Sequence, residues 1–447
     1  MSSDIILDLA VEKIRIDFGN ISATLFHVLI VQDGCDILEI NKIIPSLEYK
    51  LIRYILFRLF NHDIVFFKKK NSKLNRRETN FMSLKFYPNV HTSILRIRFP
   101  RFLSIIEKEY GNTSRYIIKK FLEYGKINLV LLLKKIITFN LKKIQSVENC
   151  LINLIRDNFF KQITCSYTSH QSNLNKIQKP VCQIRSNYLW KICYSKMMLL
   201  MKLDLVTCVI DELFCCEIKM AIRCCFCRNI GNNSDNITSD CFSLDSLVDY
   251  TEEISDTMFK IELSFIQMIE NCCIDQFILF IRNCTCKPNF NLVLDFLRKK
   301  LVENLIQNRF GYKFFKIFKF FFSSKLSNQI EFIEEYSIYK TITRKFFYQM
   351  YRLNFLFLEE KNKYKVFTNT NSSIMWKLNI VNLIDRFFFE ISKTIYNLLV
   401  RKQELNFLFK KVKKIKNFQK KYNFFFYSNL LELNILRSDG LLIILEK

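Results

Sequence analysis

Cysteine is the first residue type whose spacing could support chemistry. Of the 16 cysteines, 11 lie between Cys208 and Cys286, most densely in CCEIKMAIRCCFC. Zinc needs four ligands, commonly two short cysteine or histidine pairs at regular spacing. Cys224 and Cys227 form one such pair, but no regularly spaced second pair and no nearby histidine follow it. We therefore expect free thiols in a reducing compartment and no metal, with a zinc site as the alternative.

Motifs for catalysis are missing from the sequence. It contains no Walker-type phosphate loop, no Gly-x-Gly-x-x-Gly and no Gly-x-Ser-x-Gly elbow. The acidic pairs Asp211-Glu212 and Glu334-Glu335 fall in helical patterns that are typical of solvated faces. An organellar maturase-like enzyme would need a Tyr-x-Asp-Asp type motif, which is also missing. We expect no catalytic residues and no cofactor.

The charge of the chain gives a clearer signal. There are 68 Lys and Arg against 42 Asp and Glu, a formal net charge of +26. Such an excess favours a polyanionic partner, nucleic acid or an anionic membrane surface, with genome base composition as the alternative explanation. No apolar run reaches membrane-spanning length, and Asp4, Asp8 and Glu12 argue against a secretory signal. We expect a protein of the cytosol or nucleus that has no membrane partner.

The positions of the glycines indicate where the helices that carry these charges begin and end. The chain has only 7 glycines, and three follow an aromatic residue between two apolar-periodic segments. These pairs are Phe18-Gly19, Tyr110-Gly111 and Phe310-Gly311. The second segment ends at Gly34, Gly125 and, in the last copy, Ser324. Since glycine ends helices without steric cost, the pattern predicts a repeated unit of helices separated by glycine stops.

A ribbon is predicted after these helices. In the first copy, a helix from about 46 to 60 precedes the turn Asn61-His62-Asp63 and the strand IVFFKKK. The copy at Gly311 ends similarly, with a helix, a short break and a strand over 355–358. Three helices followed by a β-ribbon form a winged helix. We therefore predict a mainly α chain of tandem winged-helix (helix-turn-helix) domains with a C-terminal helical or coiled-coil tail. Generic helical packing with accidental glycine spacing is the alternative.

Basic residues on the last helix before each ribbon, and on the ribbon, are the candidates for phosphate contacts. The DNA-binding candidates are Lys50, Arg53, Arg58, Lys68, Lys69, Lys70, Lys340, Arg344, Lys345 and Arg352. The alternative is that these helices dock on a protein. Between Lys361 and Lys421 there are 15 Lys or Arg and three acids. Aromatics there, such as Phe407, could stack on bases or form the apolar face of a helix.

Several of these stretches together resemble one family. They are LDLAVEKIRIDFGNISATLFHVLIVQDGCDILEI, ILRIRFPRFLSIIEKEYGNTSRYIIKKFLEYGKINL, LRKKLVENLIQNRFGYKFFKIFKFFF and IMWKLNIVNLIDRFFFEISKTIYNLLVR. In this order they are similar to the third-largest subunit of RNA polymerase III, a tandem winged-helix protein related to the alpha subunit of general transcription factor IIE. Residues at the family's motif positions are Gly19, Arg98, Pro100, Gly111, Gly125, Gly311, Trp376, Lys393, Tyr396, Asn397 and Arg401.

The resemblance implies a non-catalytic subunit that helps the polymerase open promoter DNA and start transfer RNA and 5S RNA transcripts. Its implied partners are the polymerase III core, two smaller specific initiation subunits and single-stranded or opened promoter DNA. The expected winged helices are residues 1–70, 90–185, 292–360 and 361–402, with 186–291 as an unassigned cysteine-rich helical insert and 403–447 as C-terminal helices. A free-standing winged-helix DNA-binding regulator is the alternative function.

Overall fold

A computed structural model shows a mainly helical chain with small sheets, four of them in the part of the chain that it describes. It describes residues 2–69, 84–137, 144–163, 188–213, 242–243, 278–281, 285–288, 290–323, 340–361, 373–412 and 418–446. Ser324, Lys70 and the cysteine patch 215–227 lie outside the described residues. The described elements form four consecutive units, I to IV, each ending in a β-ribbon, followed by a helical tail.

Unit I comprises α1 (Ser2–Phe18), α2 (Asn20–Val31), α3 (Ile37–Ile43), α4 (Tyr49–Asn61), β1 (Val65–Lys69) and β2 (Leu84–Pro88). Gly19 separates α1 from α2, with a φ of 92°. A capping box between Asp36 and Glu39 starts α3. Helix α4 begins three residues later than the sequence predicts because Glu48 is extended.

Unit II comprises α5 (Val90–Leu95), a 3₁₀ turn (Arg96–Arg98), α6 (Phe99–Tyr124), β3 (Ile127–Asn128), α7 (Leu129–Ile137), α8 (Ile144–Arg156), β4 (Phe160–Ile163) and β5 (Leu189–Ile192). Gly111 breaks α6 with a φ of 81° and a ψ of 173°, a backbone region that glycine alone adopts readily. The predicted stop at Gly111 is therefore present.

Unit III lies where the sequence predicts a helical insert. It comprises α9 (Tyr194–Leu213) and the strands β6 (Phe242–Ser243), β7 (Ile278–Ile281) and β8 (Thr285–Pro288). The strands have the order β6-β8-β7, which repeats the β3-β5-β4 order of unit II. The structure thus differs from the expected insert, because this segment carries a sheet of the same topology as its neighbour.

Unit IV comprises α10 (Phe290–Phe310), α11 (Tyr312–Ser323), α12 (Lys340–Arg352), β9 (Leu356–Lys361) and β10 (Ser373–Leu378), and the tail is α13 (Ile380–Val412) and α14 (Phe418–Leu445). Strand β10 pairs with β9. That pairing crosses the boundary expected at residue 360, and α13 continues through the one expected at 402. Residues 361–402 therefore supply a ribbon strand and part of a helix.

The same turn joins helix to ribbon in units I, II and IV. Its left-handed residues are Asp63, Asn158 and Asn354, with φ values of 57°, 60° and 58°. In each unit the following residue (Ile64, Phe159 or Phe355) donates its N–H to a carbonyl five residues back and accepts from the residue just after the ribbon. The sequence predicted this ending only twice; the copy in unit II was missed.

Within the described residues, three apolar cores hold these elements together, and the tail enters two of them. Unit I has its own core, centred on residues such as Phe26 and Leu56. Ile443 of α14 joins the core of unit II, whereas Leu442 joins that of unit IV. Ile97, from the 3₁₀ turn of unit II, also lies in the core of unit IV. The units are thus connected through α14 and the turn that precedes α6.

Candidate functional site: two basic helices and an arginine junction

Helix α4 exposes a basic and aromatic face. Its buried side contains Ile52, Leu56 and Leu59, so the residues between them point outward. Lys50 and Arg53 are exposed, and no ion pair is formed by either within the described chain. Tyr54 and Phe57 are each 62% exposed beside them. This face can offer cations and rings to a partner.

The ribbon of unit I also carries an exposed cation. Lys68 is exposed, and its Nζ lies 5.7 Å from the centre of the Phe66 ring and 5.3 Å from that of Tyr87. The two rings stack with 5.5 Å between centroids. The side chain of Lys69 and all of Lys70 lie outside the described residues. Lys68 is thus the candidate whose position on the ribbon is defined.

Helix α12 presents the corresponding face in unit IV. Arg344, Lys345 and Arg352 are exposed, and Tyr348 is 65% exposed on the same helix. The side chain of Lys340 lies outside the described residues. The two helices can be compared by counting back from their left-handed residues, Asp63 and Asn354. By this count, Arg344 corresponds to Arg53 and Tyr348 corresponds to Phe57.

Unit II lacks this pattern. Counting back from its left-handed residue Asn158, the position of Arg53 is occupied by Glu148 on α8, and that of Phe57 by Ile152. Glu148 is exposed. An acid at that position repels phosphate, so only units I and IV share the basic face among the three that can be compared.

Arg58 belongs to a different environment from Lys50 and Arg53. Its guanidinium carbon lies 5.2 Å from the ring centre of Phe18, at the end of α1. Arg96 approaches the same ring to 4.8 Å from the other unit. Arg58 is therefore part of the junction between units I and II as well as a surface cation.

Two arginines of the sequence RIR bind opposite ends of the chain. Arg96 Nε donates to Asp17 Oδ2 at 2.6 Å, on α1. Burial would raise the pKa of Asp17, but Lys13 and Arg96 together hold it below its ordinary value. Arg98 Nε donates to Asp439 Oδ1 at 3.0 Å, and its Nη1 donates to Glu446 Oε2 at 2.6 Å.

Arg98 and Asp439 form the most deeply buried ion pair in the described chain, since each side chain is 1% exposed. Burial raises the pKa of Asp439, and the Arg98 guanidinium opposes that effect. Pro100 lies in the first turn of α6, directly after this pair. Arg98 therefore joins the start of α6 to the C-terminal helix and is unavailable to an external phosphate.

His62 lies at the junction of units I and II. It is 8% exposed, and its ring meets Phe18 edge to face with 5.0 Å between centroids. Burial, followed by the charges of Arg96 and Arg58, lowers the pKa of His62 to about 4. The imidazole is therefore neutral at neutral pH and packs as an aromatic group.

Gly125 brings the backbones of units I and II together. A Cβ at this position would clash with the carbonyl oxygen of Asn61, at the end of α4. The next residue, Lys126, donates its N–H to that oxygen, and its ammonium lies 2.8 Å from Asp63 Oδ1. Glycine is thus required here for contact between units in addition to its φ of 77°.

The residues expected from the family's fourth unit lie on two elements. Trp376 is on β10 and packs edge to face on Phe347 of α12, with 5.4 Å between centroids. Tyr396 packs against the core of unit IV from α13. Lys393, Asn397 and Arg401 are on that same helix, and all three are exposed. The structure therefore places Trp376 within the ribbon of unit IV.

Within the described residues no cluster of three or more potential metal ligands exists, and no helix there is long and apolar enough to cross a membrane. Cys35, Cys150, Cys193 and Cys208 are outside any disulfide. No protein-family model matches the chain, and no curated protein is similar to it in sequence.

Proposed function

We propose that the chain is a non-catalytic subunit of RNA polymerase III, built from four tandem winged helices, that binds DNA and partner subunits to support promoter opening and initiation. The observation that carries this proposal is the recurrent helix, left-handed turn and closing ribbon in units I, II and IV. Helices followed by a two- or three-stranded ribbon are the winged-helix arrangement. The sheet order of unit III extends the series to four.

The partners proposed are the polymerase III core, its two smaller initiation subunits and opened promoter DNA, in the nucleus. In this proposal, protein docking and DNA binding belong to different units. In unit I, α4 surrounds its cations with large exposed apolar groups, including Tyr54 and Phe57, a composition typical of protein docking. In unit IV, α12 combines Arg344 and Lys345 with Tyr348, a combination suited to phosphates and unstacked bases.

Co-purification tests the assignment to the polymerase. Full-length tagged protein, expressed at its natural level, should be recovered with the catalytic core and two smaller subunits of polymerase III. The complex should survive nuclease treatment, because protein contacts hold it. Recovery of the chain alone after mild extraction would contradict the proposal.

The DNA-binding part has its own test. Replacing Lys340, Arg344 and Lys345 with Ala in the full chain should weaken binding to a single-stranded oligonucleotide. Each phosphate contact that the variant removes should reduce the slope of log affinity against log salt by about 0.7. The matched control replaces Lys108, Lys119 and Lys134, three exposed lysines of α6 and α7, with Ala. Equal affinity in both variants would assign α12 to protein docking.

A free-standing winged-helix regulator is the second candidate. The exposed basic face of α12 favours it, since a recognition helix of that kind can enter a duplex major groove without other proteins. The two functions are separated by the co-purification above. A regulator would be released from polymerase and would prefer specific duplex sites over single strands.

A further inference from the structure

The tail hairpin extends beyond the cores of the units. Helices α13 and α14 run antiparallel, since Lys402 pairs with Glu432 at 3.2 Å and Phe409 stacks on Phe424 with 4.1 Å between centroids. Between Val400 and Asn434 no described side chain is buried. At 1.5 Å per residue the hairpin therefore extends about 20 Å past the last buried residue of α13.

An apolar stripe runs along the outer side of this hairpin. Tyr422, Phe426, Leu430 and Leu433 are 66%, 56%, 45% and 44% exposed. Their spacing of four, four and three residues places them on one face of α14. Phe424, which stacks on α13, lies on the opposite face. Helix α14 is thus apolar on two sides: one side stacks on α13 through Phe424, and the other is exposed.

The sequence that joins the two helices of the hairpin carries one sign of charge. Between Glu404 and Glu432 there are seven lysines and no acid: Lys410, Lys411, Lys413, Lys414, Lys416, Lys420 and Lys421. A second copy of this chain would bring the same charge against itself, which disfavours self-association. Leu430 and Leu433 cannot stack on bases, which disfavours nucleic acid as the occupant of this stripe.

We propose that the outer stripe of α14 docks an acidic amphipathic helix of a partner protein. Apolar residues of that helix would cover Tyr422, Phe426, Leu430 and Leu433 over about three turns. Its carboxylates would complement the positive charge that the sequence concentrates between Glu404 and Glu432. This surface is independent of the proposed polymerase function, because it rests on exposure and charge of the hairpin alone.

Direct binding tests the proposal. The probes are a labelled peptide of about three heptads with Leu and Ile on one face and Glu elsewhere, and its counterpart with Lys in place of Glu. Full-length protein should bind the Glu peptide at least tenfold more tightly than the Lys peptide. The Phe426→Asp/Leu430→Asp variant should weaken Glu-peptide binding at least tenfold.

A matched control is Val31→Asp/Leu38→Asp, which alters two exposed apolar residues of unit I and should leave binding unchanged. Circular dichroism should show both variants as folded as the parent. The proposal is overturned if the two peptides bind equally, or if the Phe426→Asp/Leu430→Asp variant binds normally. Tighter binding of phosphatidylserine vesicles or an oligonucleotide to the stripe, or dimerisation that disappears in that variant, would also overturn it.

Discussion

Replacing Arg98 with Met should destabilise the chain more than any exposed charge replacement. The guanidinium is the partner of Asp439, and both side chains are 1% exposed. Removing it leaves a buried carboxylate without its cation, which typically costs about 3–5 kcal/mol. Glu446, the second carboxylate on Arg98, keeps more of its hydration because it is 23% exposed.

The two tryptophans allow the effect to be followed in separate units. Trp190 lies on β5 of unit II, and Trp376 lies on β10 of unit IV. Urea unfolding can therefore be monitored in Trp190→Phe and Trp376→Phe backgrounds, with the transitions compared directly because a chain of several units need not unfold in one step. In the Arg98→Met protein the transition of unit II should move to lower urea.

Two further variants decide whether burial is the cause. Arg98→Met/Asp439→Leu removes both charges and should recover most of the loss, since an apolar pair of similar volume carries no desolvation cost. Arg115→Met breaks an exposed pair with Glu107 and should cost under about 1 kcal/mol. The reasoning is refuted if Arg98→Met is no worse than Arg115→Met, or if the double variant shows no recovery.

Two other predictions concern the junction of units I and II. Because the pKa of His62 is about 4 against an ordinary 6.5, the unfolded chain binds more protons between these values, and stability should fall by about 3 kcal/mol as the pH drops from 6.5 to 4. His62→Gln should flatten that part of a stability-versus-pH curve, and an unchanged slope would contradict the pKa shift. Gly125→Ala should cost about 2 kcal/mol more in urea unfolding than Gly111→Ala, because both positions have positive φ but only Gly125 meets the backbone of Asn61. Equal costs would show that the two units do not touch there.

Local signals in the sequence predicted the helices and their breaks. Gly19, Gly111 and Gly311 lie between helices as predicted, because a glycine at positive φ leaves a mark that needs no distant partner. The ribbon of unit IV was found for the same reason, from its run of apolar residues. In unit II the strand FKQI has polar residues at its centre, so its ribbon carried no such signal.

Long-range contacts could not be predicted in this way. Arg98 and Asp439 are 341 residues apart in sequence. No periodicity indicates that pairing, and Arg98 was identified only through the family motif. The sheet of unit III was hidden by its composition, because cysteine-rich sequence suggests metal or thiol chemistry before it suggests strands. Its strand order is recognisable as a repeat only when it is compared with the strand order of unit II in the structure.

Helix α14 shows why the tail has two roles. Its C-terminal end reads GLLIIL, apolar on every side, and such a helix must be covered all round. Ile443 fills the core of unit II while its neighbour Leu442 fills that of unit IV, so shortening the helix would expose both cores. The N-terminal end of the same helix is apolar on two faces, but none of its described side chains before Ile435 is buried. One end of α14 thus packs into the cores of units II and IV, and the other end presents the exposed stripe that we propose a partner helix covers.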